Sequence, residues 1–338
     1  MRSRVSAVIL AFGLSAALVS AARASALTIK LGSLAPVGSP WETAVRRIGA
    51  EWERLSGGSI TVKIYAGGVA GDEPDMIRKM RIGTLNAALM TVTGLQGIFN
   101  GLKTLSYPLL IRNDGELAYV LDHMKPFFDQ ELTLRGFKPV FWSPSGWVYF
   151  FSRAPVVTPA DLRRQKLWVW SGDPDEVQAY QNAGFQTVSV ASTDLMTSLQ
   201  GGMVDALVTS PLIAASSQWF GIAGNMCDLK LAPLWGAEVV TTKTWAEVPE
   251  DLQPRLLEAA QRIADEMVPD ITKADGQAIT VMQKYGLKIN PVPAAAAAEW
   301  ASLLQKTFAG LVGKSYDKQS FDMATGYLQD YLKDHPRK

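Results

Sequence analysis

The sequence predicts an α/β protein of two similar lobes, each built on a mostly parallel sheet with flanking helices. Its length of 338 residues suggests two domains, at roughly 100–200 residues per domain. Its composition of 48% hydrophobic and 19% charged residues excludes a disordered chain. A strand–helix–strand–helix–strand pattern occurs twice, and such alternation is typical of parallel sheets with right-handed crossovers.

The first 26 residues are predicted to be a cleaved export signal. Arg2 and Arg4 form a basic start, and residues 5–19 form an apolar run that is short for a transmembrane helix. Two A-x-A cleavage sites end at Ala24 and Ala26, so the mature chain is expected to begin directly after one of them. Removing the three arginines of this segment leaves 30 basic against 32 acidic side chains.

The remaining composition narrows the kind of protein further. A near balance of 33 basic and 32 acidic side chains offers no excess charge for nucleic acid. Cys227 is the single cysteine, so no internal disulfide can form, and two histidines leave little material for a metal site. We therefore expect a soluble mature protein in the bacterial periplasm, without a metal or a cofactor.

The first lobe begins with a strand over residues 27–31, where apolar and polar residues alternate. Ser39 as N-cap, Pro40 at N1 and Glu42 at N3 then form a capping box that starts a helix. The lobe continues with a strand, a helix and a short strand, predicted at 60–64, 74–82 and 86–90.

The second lobe repeats this pattern. Asp173 is predicted to cap a helix with Pro174 at N1 and Glu176 at N3. Three strands and a second short helix are predicted at 166–170, 186–190, 204–209 and 193–200. Between the lobes, the aromatic run 147–152 is predicted to be a hinge strand.

The C-terminal third is predicted to be largely helical. A long helical stretch covers residues 249–285, and Pro269 is expected to kink or break it. Alanines at 294–298 start a further helical segment. The predicted division assigns residues 27–150 and about 235–268 to lobe I, and residues 151–234 and about 269–338 to lobe II.

The carboxyl ends of the predicted strands indicate where a ligand binds, because open α/β sheets bind ligands there. These ends are residues 32–39, 66–72, 91–94, 171–173, 191–193 and 210–213. Two lobes that face each other through such loops form a cleft, and a hinged cleft is typical of proteins that capture small solutes.

Motifs for catalysis are absent from the sequence. It contains no G-x-S-x-G, H-E-x-x-H or C-x-x-C pattern. Residues 313–315, Gly-Lys-Ser, are similar to the end of a phosphate-binding loop, but Phe308 stands where the leading glycine belongs. We therefore expect a binding protein and not an enzyme.

Several motifs together resemble the solute-binding receptors of TRAP transporters, the DctP-type family. Residues 199–206, Leu-Gln-Gly-Gly-Met-Val-Asp-Ala, running on to Pro211, resemble the family signature "LQ-G-VDG…NP". Residues 30–33 and 248–253 resemble its first strand and the start of its long helix. The resemblance covers nearly the whole mature chain. It implies a periplasmic-binding-protein-like, two-lobe flytrap, a long helix spanning both lobes, and delivery of a small solute to membrane permease subunits.

The chain departs from this family at two ligand-binding positions. Family members usually carry an arginine for the ligand carboxylate in a strand "K-[LIF]-R-[VI]-P"; here Trp168 stands at the arginine and Trp170 at the proline. Ser210 takes the place of a ligand-binding asparagine. Tryptophan cannot imitate a bidentate arginine–carboxylate pair, so a solute with an apolar or aromatic body is expected. A branch that lacks the arginine works with a tetratricopeptide-repeat lipoprotein, which is therefore an implied partner.

The candidate ligand-binding residues lie at the strand ends, at these two positions and in the hinge strand. They are Leu34, Ala35, Thr91, Trp147, Tyr149, Trp168, Trp170, Ser171, Ser210 and Trp235. Core packing is the alternative for the aromatic residues, a turn cap for Ser210 and a solvated position for Thr91. An alternative function is a periplasmic interaction protein whose aromatic cleft holds a lipid tail or a partner segment; an enzyme on a binding-protein scaffold is a third.

Overall fold

The computed structural model describes residues 26–170 and 173–337. The predicted export signal, except its last residue, and the predicted site residue Ser171 lie outside these ranges. The strands are β1 (Leu27–Ser33), β2 (Ile60–Tyr65), β3 (Ala87–Thr91), β4 (Phe137–Ser152), β5 (Lys166–Val169), β6 (Gln186–Ser189), β7 (Ala206–Thr209), β8 (Asn225–Asp228), β9 (Ala232–Thr241) and β10 (Lys288–Pro291). The helices are α1 (Pro40–Leu55), α2 (Glu73–Arg81), α3 (Val92–Leu95), α4 (Asp114–Leu134), α5 (Pro159–Leu162), α6 (Pro174–Asn182), α7 (Leu195–Gln200), α8 (Pro211–Ser216), α9 (Thr242–Trp245), α10 (Gln253–Lys284), α11 (Ala294–Ala309) and α12 (Lys318–Asp334). None of these helices has the length and apolar character of a membrane span.

The strands form one continuous mixed sheet in the order β2-β1-β3-β9-β4-β7-β5-β6, with β8 and β10 attached through β4. The first half-sheet comprises β2, β1, β3, β9 and the start of β4; the second comprises the end of β4 and β5 to β8 with β10. Within each half, the strands of the repeated pattern are parallel, whereas β9 and β4 run antiparallel to their neighbours. This arrangement confirms the predicted α/β class, with an antiparallel centre joining two parallel parts.

β4 connects the halves and contains the predicted hinge run. Its pairing with β9 shifts register between Pro144 and Trp147, and Gly146 in this bulge has a φ of +96°. The Asp275 carboxylate of α10 accepts hydrogen bonds from the backbone N–H groups of Trp147 and Leu212, the latter at 2.8 Å. A Cβ at position 146 would collide with this carboxylate, so the bulge requires glycine on both counts.

Helix starts follow the local signals in the sequence. The Ser39 hydroxyl accepts a hydrogen bond from the Glu42 N–H at 3.3 Å at the start of α1, and Asp173 accepts one from the Glu176 N–H at 3.0 Å at the start of α6. Each cap satisfies an N–H group that has no partner within its helix. Both predicted caps are confirmed.

α10 is a 32-residue helix that contacts α1 of the first half and α8 of the second, as the resemblance implied. It continues through Pro269, so the break expected there is wrong. Met267 and Ile271, on either side of the proline, are both buried in the core shared with α1. This tertiary packing offsets the roughly 3 kcal/mol that an internal proline costs.

Candidate functional site

A cavity of about 530 Å³ lies between the strand ends of the two half-sheets. The first wall is formed by loops after β1, β2 and β3, and the second by β5, the start of α6 and the segment after β6. These loops are the ones that the strand ends predicted. The volume is that of a small-molecule site.

Five of the predicted site residues line this cavity: Leu34, Ala35, Thr91, Trp168 and Trp170. Trp168 is half-buried, and its indole N–H donates to the Val190 carbonyl at 3.0 Å. That bond fixes the ring and leaves only its apolar face for a ligand. Trp170 is 8% exposed, and its indole N–H has no acceptor among the described residues.

Trp235 was expected at the cleft and lies in the core instead. Its neighbours Leu234 and Gly236 line the cavity, but Trp235 does not. Successive residues of a strand point to opposite faces, so Trp235 faces α4, where it stacks on Phe128 with the ring centroids 5.7 Å apart. Its indole N–H donates to the Ser106 hydroxyl at 3.2 Å. The expected place of Trp235 is corrected on this ground.

Trp147, Tyr149 and Ser210 are also absent from the cavity lining. The Trp147 indole donates to Asp114 at 2.7 Å, and burial raises the pKa of Tyr149 to about 12. Both rings belong to the core cluster that surrounds α4. Ser210 is fully buried and caps α8, because its hydroxyl accepts a hydrogen bond from the Ile213 N–H at 3.3 Å. The two aromatic residues therefore pack in the core and Ser210 acts as a cap, which are the alternatives given for them in the sequence analysis.

The charged lining of the cavity was not predicted. Among the described lining residues, four are acidic (Asp72, Glu73, Asp173 and Glu176) and one, Lys103, is basic. The Lys103 ammonium is almost fully buried, pairs with Asp173, and lies 3.3 Å from Glu176 and 4.2 Å from the centroid of the Tyr316 ring. Its charge is therefore already compensated, and the lining carries a surplus of acid.

Asp72 links the two walls across the cleft. Its carboxylate accepts hydrogen bonds from the Ser192 hydroxyl at 2.6 Å and from the Ser192 backbone N–H at 3.1 Å. Asp72 caps α2 on the first wall, and Ser192 follows β6 on the second. Lys103 and Asp173 make a second contact of this kind, so the walls meet at two charged points.

Glu73 lies beside Thr91 on the first wall. Its carboxyl accepts hydrogen bonds from the Thr91 N–H at 2.6 Å, the Thr91 hydroxyl at 2.9 Å and the Gly94 N–H. Burial nevertheless raises its pKa to about 7, because desolvation of the charged form outweighs these bonds. The Thr91 hydroxyl donates to Glu73, so it faces a ligand only as an acceptor.

Glu238 is a further acidic residue near the cavity that the sequence analysis missed. Directly paired residues of β3, β9 and β4 form two rows in the cavity floor: Thr91–Gly236–Ser143 and Leu89–Glu238–Phe141. Five of these six line the cavity, and Glu238 lies between two of them. It is 2% exposed. An acidic residue in the otherwise apolar strand Ala232–Val240 was the signal that would have found it.

Comparisons with known proteins agree with this fold. The profile of the family described as bacterial extracellular solute-binding protein, family 7 (DctP), matches residues 31–314. A solute-binding protein of Roseobacter denitrificans is 27% identical over 251 residues, which cover 71% of this chain and 74% of that protein. The 2,3-diketo-L-gulonate-binding periplasmic protein of Escherichia coli is 22% identical over 237 residues, covering 69% and 71%.

A similar solved structure is that of a TRAP periplasmic solute-binding protein from Desulfovibrio salexigens with bound orotic acid. Its TM-score is 0.83 at 18% sequence identity, and the match covers 90% of this chain and 99% of the other. At this identity the likeness concerns the fold, and it confirms the two-lobe architecture.

Proposed function

The chain belongs to the bacterial extracellular solute-binding proteins of family 7, and we propose that within this family it captures a solute with an apolar or aromatic body. It is a solute-binding receptor of the TRAP type and not an enzyme. The similar proteins named above bind orotic acid and 2,3-diketo-L-gulonate, which are both acids. The solute proposed for this chain is selected by its apolar or aromatic body and not by a carboxylate.

The observation that carries this proposal is the placement of Trp168 on the second wall. The resemblance puts a carboxylate-binding arginine at this position, and here an indole face stands in its place. Lys103, the basic residue of the described lining, is already paired with two acids. A solute carboxylate buried without a partner would lose roughly 2–5 kcal/mol of binding free energy.

An apolar body is favoured by the lining for a second reason. Stacking a ring on Trp168 and burying about 200 Å² of apolar surface contributes about 5 kcal/mol before the costs of association. The aromatic residues Trp41, Phe141, Trp170 and Trp219 also line the cavity. The lipid-tail alternative has no comparable support, because the family members named above hold small solutes.

The remaining features of the receptor follow the sequence predictions. We propose that residues 1–26 are a cleaved leader, that the mature protein works in the periplasm, and that lobe I consists of residues 27–150 and about 235–268. The proposed partners are TRAP permease subunits and a tetratricopeptide-repeat lipoprotein. Intact-mass analysis of periplasmic protein is expected to give a chain that starts at Ser25 or Leu27; a chain that retains residues 1–24 would overturn the leader.

Native mass spectrometry of protein purified from the periplasm tests the solute class. We expect a co-purified small molecule with an apolar or aromatic body. Adding the same compound at 100 times its Kd is expected to stabilise the fold by about 2.7 kcal/mol in thermal unfolding. A co-purified small dicarboxylate would contradict the proposal, and a co-purified lipid would favour the alternative.

A further inference from the structure

The Glu238 side chain lies beneath the cavity floor: it is 2% exposed, it is not itself among the lining residues, and its Oε2 has no hydrogen-bond partner among the described residues. Leu89 on one side and Phe141 on the other share its face of the sheet and line the cavity. Gly236, two residues earlier on the same face, lines the cavity and has no side chain that could cover Glu238 from this strand. A Cβ at position 236 would collide with the Met90 carbonyl, so no residue with a side chain fits at this point of the strand.

The absence of a partner is costly for Glu238. Its Oε2 accepts no hydrogen bond from any described residue. Burial raises the pKa of the Glu238 carboxyl to about 8, and no hydrogen bond or neighbouring charge opposes that rise. Glu73 differs, because three hydrogen bonds satisfy it. A buried polar group without a partner destabilises the fold by about 1–3 kcal/mol, so a bound solute is a natural source of the missing partner.

The surroundings indicate the charge of that partner. The described lining carries four acids against one paired lysine, which disfavours an anion and favours a cation. Aromatic rings on the same walls attract an organic cation through their negative faces. A carboxyl that loses its proton beside an ammonium group would become a charge-assisted hydrogen-bond acceptor.

We propose that Glu238 is the anchor for an organic ammonium solute, whose cationic end reaches this carboxyl while its apolar body lies against Trp168. This inference rests on the proposed function and adds the charge of the solute to it. Before binding, the Glu238 carboxyl is neutral and the ammonium is in water. On binding, the carboxyl transfers its proton to the buffer, and the carboxylate then accepts hydrogen bonds from the ammonium. No other bond forms or breaks.

Three probes of similar size test the charge preference: 2-phenylethylamine, 2-phenylethanol and 3-phenylpropionate. Each is titrated at pH 7 into the full mature protein and followed by calorimetry. We expect the amine to bind at least tenfold more tightly than the alcohol, and the propionate to bind weakest. Equal or tighter binding of the propionate would overturn the proposal, and so would the absence of amine binding at 10 mM.

Glu238→Gln is the decisive variant, because it keeps the shape of the neutral carboxyl and cannot ionise. We expect it to lose the tenfold preference for the amine and to bind the alcohol as the native protein does. Asp129→Asn is the matched control: it removes a half-buried acid whose oxygen accepts a bond from Trp142 at 2.8 Å, outside the cavity. This control is expected to keep the preference, and an amine preference that survives in Glu238→Gln would overturn the assignment.

Proton release gives a second readout. At pH 7 a carboxyl with a pKa of about 8 is about nine-tenths protonated, so amine binding is expected to release about 0.9 proton per molecule bound. Calorimetry in two buffers of different ionisation enthalpy measures this number. Glu73 also titrates near pH 7, so the difference between native protein and Glu238→Gln is the quantity of interest. No difference in proton release would refute the role of Glu238.

Failure of this inference is distinguishable from failure of the proposed function. If the alcohol binds and the amine shows no advantage, the apolar body is retained and only the anchor is lost. If neither aromatic probe binds but small carboxylates do, the proposed solute class fails as well.

Discussion

The two walls of the cavity differ in chemistry, although both belong to one continuous sheet. The first wall contributes the carboxyl groups of Asp72 and Glu73, with Glu238 beneath its floor. The second contributes the indoles of Trp168 and Trp170, and its acids Asp173 and Glu176 are paired with Lys103. We therefore expect the first wall to recognise charge and hydrogen-bond donors, and the second to recognise apolar area. The difference teaches that a shared fold fixes where a ligand lies, while a few side chains decide what it is.

The two carboxyl groups of the first wall also differ from each other. Backbone and hydroxyl donors satisfy Glu73, and burial raises its pKa to about 7. Burial alone acts on Glu238 and raises its pKa to about 8. Glu73 therefore has a structural role in the first wall, whereas Glu238 is the carboxyl that we propose for ligand binding.

Removing the indole of the second wall is expected to have the largest effect. Trp168→Ala should weaken binding of the co-purified solute by several hundred-fold, about 3.5 kcal/mol, because the stacking face is lost. Trp168→Phe keeps a ring and should lose far less. Calorimetry measures both, with circular dichroism to confirm folding. A folded Trp168→Ala variant with native affinity would show that the solute does not stack on Trp168.

The bulge of β4 at Gly146, where the two half-sheets join, is expected to give the next largest effect, this time on stability. Gly146→Ala is expected to destabilise the protein by about 3 kcal/mol, because the residue has a positive φ and its Cβ would meet Asp275. Gly276→Ala is the matched control on α10, where a Cβ meets nothing within 4 Å and should stabilise the helix by up to about 1 kcal/mol. Urea unfolding measures the stability of both variants. Equal changes in the free energy of unfolding would contradict the requirement for glycine at position 146.

The carboxyls of the first wall predict how stability depends on pH. A raised pKa means that the folded state holds protons that the unfolded state has released, so the free energy of unfolding falls as pH rises. Glu238 contributes to this decline between about pH 4.5 and about pH 8, and Glu73 between about pH 4.5 and about pH 7. Glu238→Gln should remove about 2.5 kcal/mol of the decline between pH 5 and 7. Urea unfolding at these two pH values checks the prediction, and an unchanged decline would show that Glu238 is not buried as described.

The smallest effect is expected at Ser210, which the sequence predicted to be either a ligand-binding residue or a turn cap and which the structure places at a helix cap. Ser210→Ala should lower the free energy of unfolding by about 1 kcal/mol through the lost cap of α8. The affinity for the co-purified solute should not change. A marked loss of affinity with unchanged stability would return Ser210 to the binding site.

Local signals predicted much of this fold and part of its cavity. Ser39 and Asp173 were found as caps because a cap depends on residues within one turn. The sequence named Trp235 as a candidate ligand-binding residue but did not show which face of β9 meets the cavity, so Trp235 was misplaced. The contact of Asp72 with Ser192 joins residues 120 positions apart, and no local pattern encodes such a pair. Pro269 failed as a helix breaker because tertiary packing overrides a local preference.

We propose above all that the cavity selects its solute by an apolar or aromatic body and not by a carboxylate. Isothermal titration of succinate into the native protein tests it most directly, because succinate has two carboxylates and almost no apolar area. We expect no measurable binding at 1 mM succinate, while the co-purified solute binds the same preparation. Succinate binding with a Kd in the micromolar range would contradict the claim.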